Sequence, residues 1–116
     1  MATTMYGIPN CDTIKKARAF LAGRGVDYRF HDYKTQGVPA AELARWVDRL
    51  GWERLVNHQG NTWRKLAPEV QAGVHDAPSA IALMLDQPSV IKRPVLLHGD
   101  ALHVGFAVGE WARLFA

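Results

Sequence analysis

TTMYGIPNCDTIKKARAFLAGRGVDYRFH, residues 3–31, changes its periodicity twice, and those changes decide the fold. Thr3 to Tyr6 is a short strand-like run, which Gly7 and Pro9 interrupt before helical spacing begins at Asp12. From Asp12 to Ala22, Ile14, Ala17 and Leu21 make one apolar stripe while Lys15, Lys16 and Arg18 lie off it. Gly23 and Gly25 supply a stop. Residues 26–31 then alternate, with Val26, Tyr28 and Phe30 facing one way, as in a half-buried strand. The spacing predicts a βαβ unit.

Beyond this unit, YKTQGVP (residues 33–39) reads as a loop, and Pro39 suits the first turn of a helix running to about Leu50. Residues 53–87 are mainly helical in pattern, broken near NHQGN, Pro68 and HDAPS, with Ser79 as a helix start and Pro88 closing that helix. PVLLH and ALHVG flank Gly99-Asp100, a spacing that predicts a hairpin. Gly109 to Phe115 completes the pattern as a terminal helix. The order is βαβ, a helical insertion at about 38–88, then ββα: an α/β, thioredoxin-like (glutaredoxin-like) four-stranded mixed sheet in one domain, residues 1–116.

With 116 residues, 48% hydrophobic and 22% charged, the chain has the composition of an ordinary globular domain, and no apolar run is long enough for a membrane span. No export signal is evident, so a cytoplasmic location is expected. The net charge of +3 is spread among acidic residues without a polybasic tract. That pattern suits small acidic molecules and argues against nucleic acid as a partner. His31, His58, His75, His98 and His103 show no metal-ligand spacing, so no metal is expected. His98 and His103 read as decoration of the hairpin. The four tryptophans read as packing residues, and no glycine-rich nucleotide motif occurs, so no bound cofactor is expected.

Cys11 is the chain's single cysteine. Taken alone, such a residue is more often a small buried apolar group than a nucleophile. Its place at a helix start alters this, because unpaired amides and the helix dipole favour a thiolate. A thiol with a pKa of about 8.5 is only about 3% ionised at pH 7. Helix-end effects of about 0.3–1 kcal/mol do not suffice to change that, so a cation is expected nearby. Lys15 and Arg18 follow on the same side of the helix, and Arg93 in IKRPV directly precedes Pro94 and the third strand.

GIPNCDTIKKAR, TWRKL and IKRPVLL together resemble the arsenate-reductase-like (ArsC/Spx) family, most closely its YffB-type members, over about residues 5–115. The resemblance implies that Cys11 is the reactive cysteine, that Arg93 leads into the hairpin beside it, and that the Arg93-Pro94 peptide is cis. The two further arginines by which arsenate reductases of this family clamp their oxyanion correspond to Asn57 and Gly105, neither of which offers a guanidinium. Arg64 in TWRKL is a partial substitute at most. Spx-type Cys-x-x-Cys is absent too, since Ile14 stands three residues after Cys11.

These features point to a glutathione-dependent monothiol reductase acting on a disulfide or oxyanion. Glutathione is expected as co-substrate, and a small molecule or a protein thiol as partner. Cys11 and Arg93 are the expected catalytic residues, with Asn10, Asp12, Thr13, Lys15 and Pro94 binding substrate or glutathione. For Asn10 taken by itself, the plain reading as a turn residue outweighs that of a group hydrogen-bonding the loop. The alternative is a non-enzymatic, Spx-like transcriptional regulator that binds RNA polymerase.

Overall fold

The structure is a computed structural model and describes residues 2–116. In chain order the elements are β1 (Thr3–Gly7), α1 (Asp12–Gly23), β2 (Arg29–Asp32), α2 (Tyr33–Gln36), α3 (Ala40–Leu50), α4 (Trp52–Leu55), α5 (Asn61–Arg64), α6 (Pro68–Ala72), α7 (Ala77–Asp86), a 3-10 turn (Pro88–Val90), β3 (Val95–His98), β4 (Ala101–Val104) and α8 (Val108–Leu114). The chain divides into two units, one formed by the described residues up to Gln36 together with Arg93–Ala116, the other by Gly37–Lys92. The insertion is thus a compact unit of its own, slightly longer than the residues 38–88 expected.

The first unit is the thioredoxin-like sheet, ordered β2-β1-β3-β4. β1 runs parallel to β2, with Met5 opposite Phe30, and antiparallel to β3, with Met5 opposite Leu96. β3 and β4 form the hairpin around Gly99, whose φ of +57° suits a tight turn. One sheet face presents Met5 and Leu96 to Ile14, Ala17 and Leu21 of α1 and to Trp111 of α8. All six are buried, so the 3.6-residue stripe of the helix and the two-residue alternation of the strands meet in one core.

The helix stop is sharper than the two glycines suggested. Gly23 ends α1 as a helical residue, while Gly25 takes φ +66°. The Val26 amide donates to the Leu21 carbonyl at 3.0 Å and the Gly25 amide to that of Ala22 at 3.1 Å, the paired closure of a Schellman motif. This explains why β2 begins at Arg29 rather than Val26: Val26 is held by the helix end. Val26, Tyr28 and Phe30 nevertheless all pack on the core, as their alternation predicted.

Within the second unit, α3 buries Leu43, Trp46 and Val47. Ser79 is not the start of α7, as expected; Asp76 is. Its carboxylate accepts from the Ser79 amide at 3.0 Å, and the Ser79 hydroxyl accepts in return from the Asp76 amide at 3.1 Å, a capping box in which serine holds the third helical position. YKTQ is the short helix α2 rather than a loop.

Candidate functional site

The site lies where β1 ends. Pro9 turns the chain, the Cys11 amide donates to the Pro9 carbonyl at 3.0 Å, and Cys11 itself becomes the N-cap of α1 in an extended conformation (φ −149°, ψ 130°). An N-cap side chain faces the amides two and three positions on. Those belong to Thr13 and Ile14. Cys11 makes no regular side-chain cap hydrogen bond, yet both amides point toward its sulfur and favour the thiolate.

Burial, the largest single influence, pushes the Cys11 thiol up. It is outweighed by the Ile14 amide, by the Arg93 guanidinium acting through a hydrogen bond and through its charge, and by the Thr13 amide, so the pKa falls below the ordinary cysteine range. Cys11 as a residue is half-buried and packs against the core beneath α1. A stabilised and reachable thiolate is the chemical content of this arrangement.

Arg93 arrives from the other end of the chain. It stands just before β3, and the Arg93-Pro94 peptide is cis. The Gly105 amide donates to the Pro94 carbonyl at 2.8 Å, tying the end of β4 to the turn that carries Arg93. Gly105 has φ +83° and no side chain to offer a ligand. Gly7 makes the approach possible: a Cβ there would lie 2.5 Å from Ile14 Cδ1 and 3.9 Å from Arg93 Cβ.

The other expected residues divide. Thr13 lies at the sulfur through its amide; Asp12 contributes no such amide, and Ile14, overlooked because its side chain belongs to the core stripe, does. Asn10 and Lys15 are exposed, and Lys15 is not among the groups that act on the thiol. Pro94 is buried beside Arg93. Arg18 is occupied elsewhere, 4.5 Å above the Phe30 ring and donating from Nε to the Tyr28 hydroxyl at 2.9 Å, where it fastens α1 to the approach of β2.

The hairpin histidines are also engaged. His98 Nδ1 lies 2.6 Å from Thr3 Oγ1, and His103 pairs with Glu110 on α8. No group of three or more potential metal ligands gathers among the described residues. Nor is any of the helices long and apolar enough to cross a membrane. The open surface hollows at Thr3–Thr4 with Asp27–Arg29, and at His98–Ala101 with Leu114, lie at the opposite end of the sheet from Cys11.

Known proteins share this frame. The chain superposes on a solved structure named YFFB with a TM-score of 0.94, at 45% identity over 99% of this chain and 100% of that one. An arsenate reductase (ArsC) related protein from Brucella melitensis is similar at 50% identity, TM-score 0.77, covering 99% of this chain and 95% of the other. The global transcriptional regulator Spx of Streptococcus agalactiae is 27% identical over 109 residues, 92% of this chain and 78% of the regulator. Residues 6–114, from the strand before Cys11 to the last helix, match the ArsC family model, and the chain belongs to the ArsC family.

Proposed function

We propose that the protein is a glutathione-dependent monothiol reductase with Cys11 as nucleophile. The observation that carries this reading is a half-exposed thiol whose ionised form is favoured by Arg93 and two amides, in a chain with no second cysteine to resolve a disulfide. In the first step the Cys11 thiolate attacks the glutathione sulfur of a mixed disulfide. A Cys11–glutathione bond forms, the substrate S–S bond breaks, and the substrate thiolate departs and is protonated by solvent. A second glutathione thiolate then attacks the bound glutathione sulfur, releasing oxidised glutathione and restoring the Cys11 thiolate. The substrate sulfur is reduced to a thiol, the incoming glutathione thiol is oxidised in its place, and the first glutathione sulfur passes from one disulfide to the other at unchanged oxidation state.

Arg93 keeps the thiolate ionised before each attack and stabilises it as leaving group in the second step. The missing guanidinium at Gly105 favours a disulfide substrate over an oxyanion clamped by several arginines. The test is a panel of glutathionylated protein, small disulfides and arsenate, supplied with glutathione, for wild type and Cys11→Ser. Cys11-dependent release of substrate thiol, with one glutathione recovered on Cys11 by intact mass, is expected. No adduct with oxidised glutathione, together with a thiol that titrates in the ordinary range, overturns the proposal. In that event the similarity to Spx gives the rival reading, a regulator recovering RNA polymerase in a pull-down whether or not Cys11 is present.

A further inference from the structure

The Tyr33 hydroxyl is a buried polar atom for which the reductase cycle, as described, has no use. Tyr33 follows directly on β2, is only 3% exposed, and its oxygen has no hydrogen-bond partner among the described residues. Burying a hydroxyl in this way is unfavourable, and a phenylalanine would fill the same space without that cost. The ring is held in a row of aromatic contacts, with His31 centred 5.1 Å from Tyr6 and 6.1 Å from Tyr33.

Its location is defined by the sheet register. Gly7 pairs with Asp32 on one side of β1, and Tyr6 pairs with Val95 on the other. Tyr33 follows the last of these pairs on β2 and Arg93 stands two residues before Val95 on β3, so the two occupy opposite flanks of β1 at the end of the sheet that carries Cys11. Burial, then Tyr6, push the Tyr33 phenol above the ordinary tyrosine range, against the pull of the Arg93 charge. The group is a neutral phenol with free acceptor lone pairs.

We propose that Tyr33 is a positioning residue, the alternate hydrogen-bond acceptor for Arg93 when Cys11 is held in a mixed disulfide. The proposal rests on the reading that Cys11 cycles through such a disulfide. In the reduced protein the guanidinium serves the thiolate. When Cys11 attacks a disulfide, a new S–S bond forms, the old one breaks, and the negative charge leaves on the departing thiolate. Arg93 then loses its charged acceptor at the sulfur, and the Tyr33 oxygen takes an N–H of the guanidinium. Tyr33 thereby lowers the free energy of the capped state relative to the reduced one without touching substrate.

The test compares wild type, Tyr33→Phe, Arg93→Met and the double variant, each reduced and each capped on Cys11 with methyl methanethiosulfonate. That reagent transfers a methylthio group to the thiolate and releases methanesulfinate, so the comparison needs neither glutathione recognition nor turnover and is independent of whether the reductase reading holds. Melting temperatures are measured for all eight species, and the glutathionylation equilibrium at a fixed ratio of reduced to oxidised glutathione is measured by intact mass. Tyr33→Phe is expected to melt at or above wild type when reduced and below it when capped. Its glutathionylation equilibrium constant falls about tenfold, the weight of a hydrogen bond to a charged group. In the Arg93→Met background this dependence on capping disappears. Equal effects of Tyr33→Phe on both states, or persistence of the difference without Arg93, overturn the proposal.

Discussion

Gly7→Ala tests how closely β1, α1 and the turn before β3 are packed around the thiol. The added Cβ meets Ile14 Cδ1 at 2.5 Å and Cγ1 at 3.3 Å, so the isoleucine has to retreat by roughly 0.9 Å to reach ordinary contact at about 3.4 Å. Ile14 is fully buried in one cluster with Met5, Leu21, Leu96 and Trp111, and close-packed interiors yield little to an added methyl group. Overpacking of this kind costs about 1–3 kcal/mol, and a value near 2 lowers the melting temperature of a domain this size by about 8 °C. Ile14→Val deletes the clashing methyl and by itself costs about 1 kcal/mol. If the clash is the cause, the double variant loses only about 1 kcal/mol, well short of the roughly 3 kcal/mol that additivity demands.

Urea unfolding monitored by tryptophan fluorescence measures all four proteins at constant m-value. The thiol gives a second readout, because the side chains of Ile14 and Arg93, two residues that act on it, both lie against Gly7: its pKa rises in Gly7→Ala and returns toward wild type in the double variant. Unchanged stability in Gly7→Ala, or additive losses in the pair, refutes the close-approach argument.

Two further predictions concern charge. Arg93→Met removes both contributions of the guanidinium, so the thiolate absorbance of Cys11 titrates at higher pH than in wild type, with iodoacetamide reactivity following the same shift. Because the folded-state pKa is depressed, the wild-type thiolate contributes stability that is fully present above the unfolded value of about 8.5 and is lost as pH falls through the folded value. Arg93→Met flattens that slope in a pH series of urea melts. Asp76→Ala removes the cap of α7 and lowers the melting temperature near neutral pH. Hydrogen bonds from Ser79, side chain before backbone, hold the Asp76 carboxyl below its usual range, so the difference from wild type closes as pH falls below about 4.

The βαβ unit was legible because its periods are unambiguous: Ile14, Ala17 and Leu21 on one helix face, Val26, Tyr28 and Phe30 on one side of the following segment. Where boundaries moved, a local hydrogen bond outweighed the pattern. Val26 is claimed by the Schellman closure, and Asp76 takes the cap that Ser79 also suits. Cys11 could be placed at a helix start from its neighbours, whereas Arg93 acquires meaning only once β3 is known to lie beside β1. Ile14 was hidden by its own side chain, since the core stripe says nothing about an amide directed at sulfur. Tyr33 was hidden by YKTQG, which reads as a loop and gives no sign that its tyrosine is buried.

The sheet unit is assembled from two chain segments separated by the whole insertion, and the two halves of the thiol's environment are divided in the same way. The Ile14 and Thr13 amides are available as soon as α1 forms, but Arg93 is 82 positions downstream of Cys11 and reaches the sulfur only when β3 docks against β1. Closing so long a loop is entropically costly and late. The growing polypeptide therefore carries Cys11 without its cation, and the residue gains its full acidity in the same event that completes the sheet. The electrostatic environment of the thiol is thus a property of the finished sheet, and a chain still short of Arg93 lacks the charge that most favours ionisation from a distance in sequence.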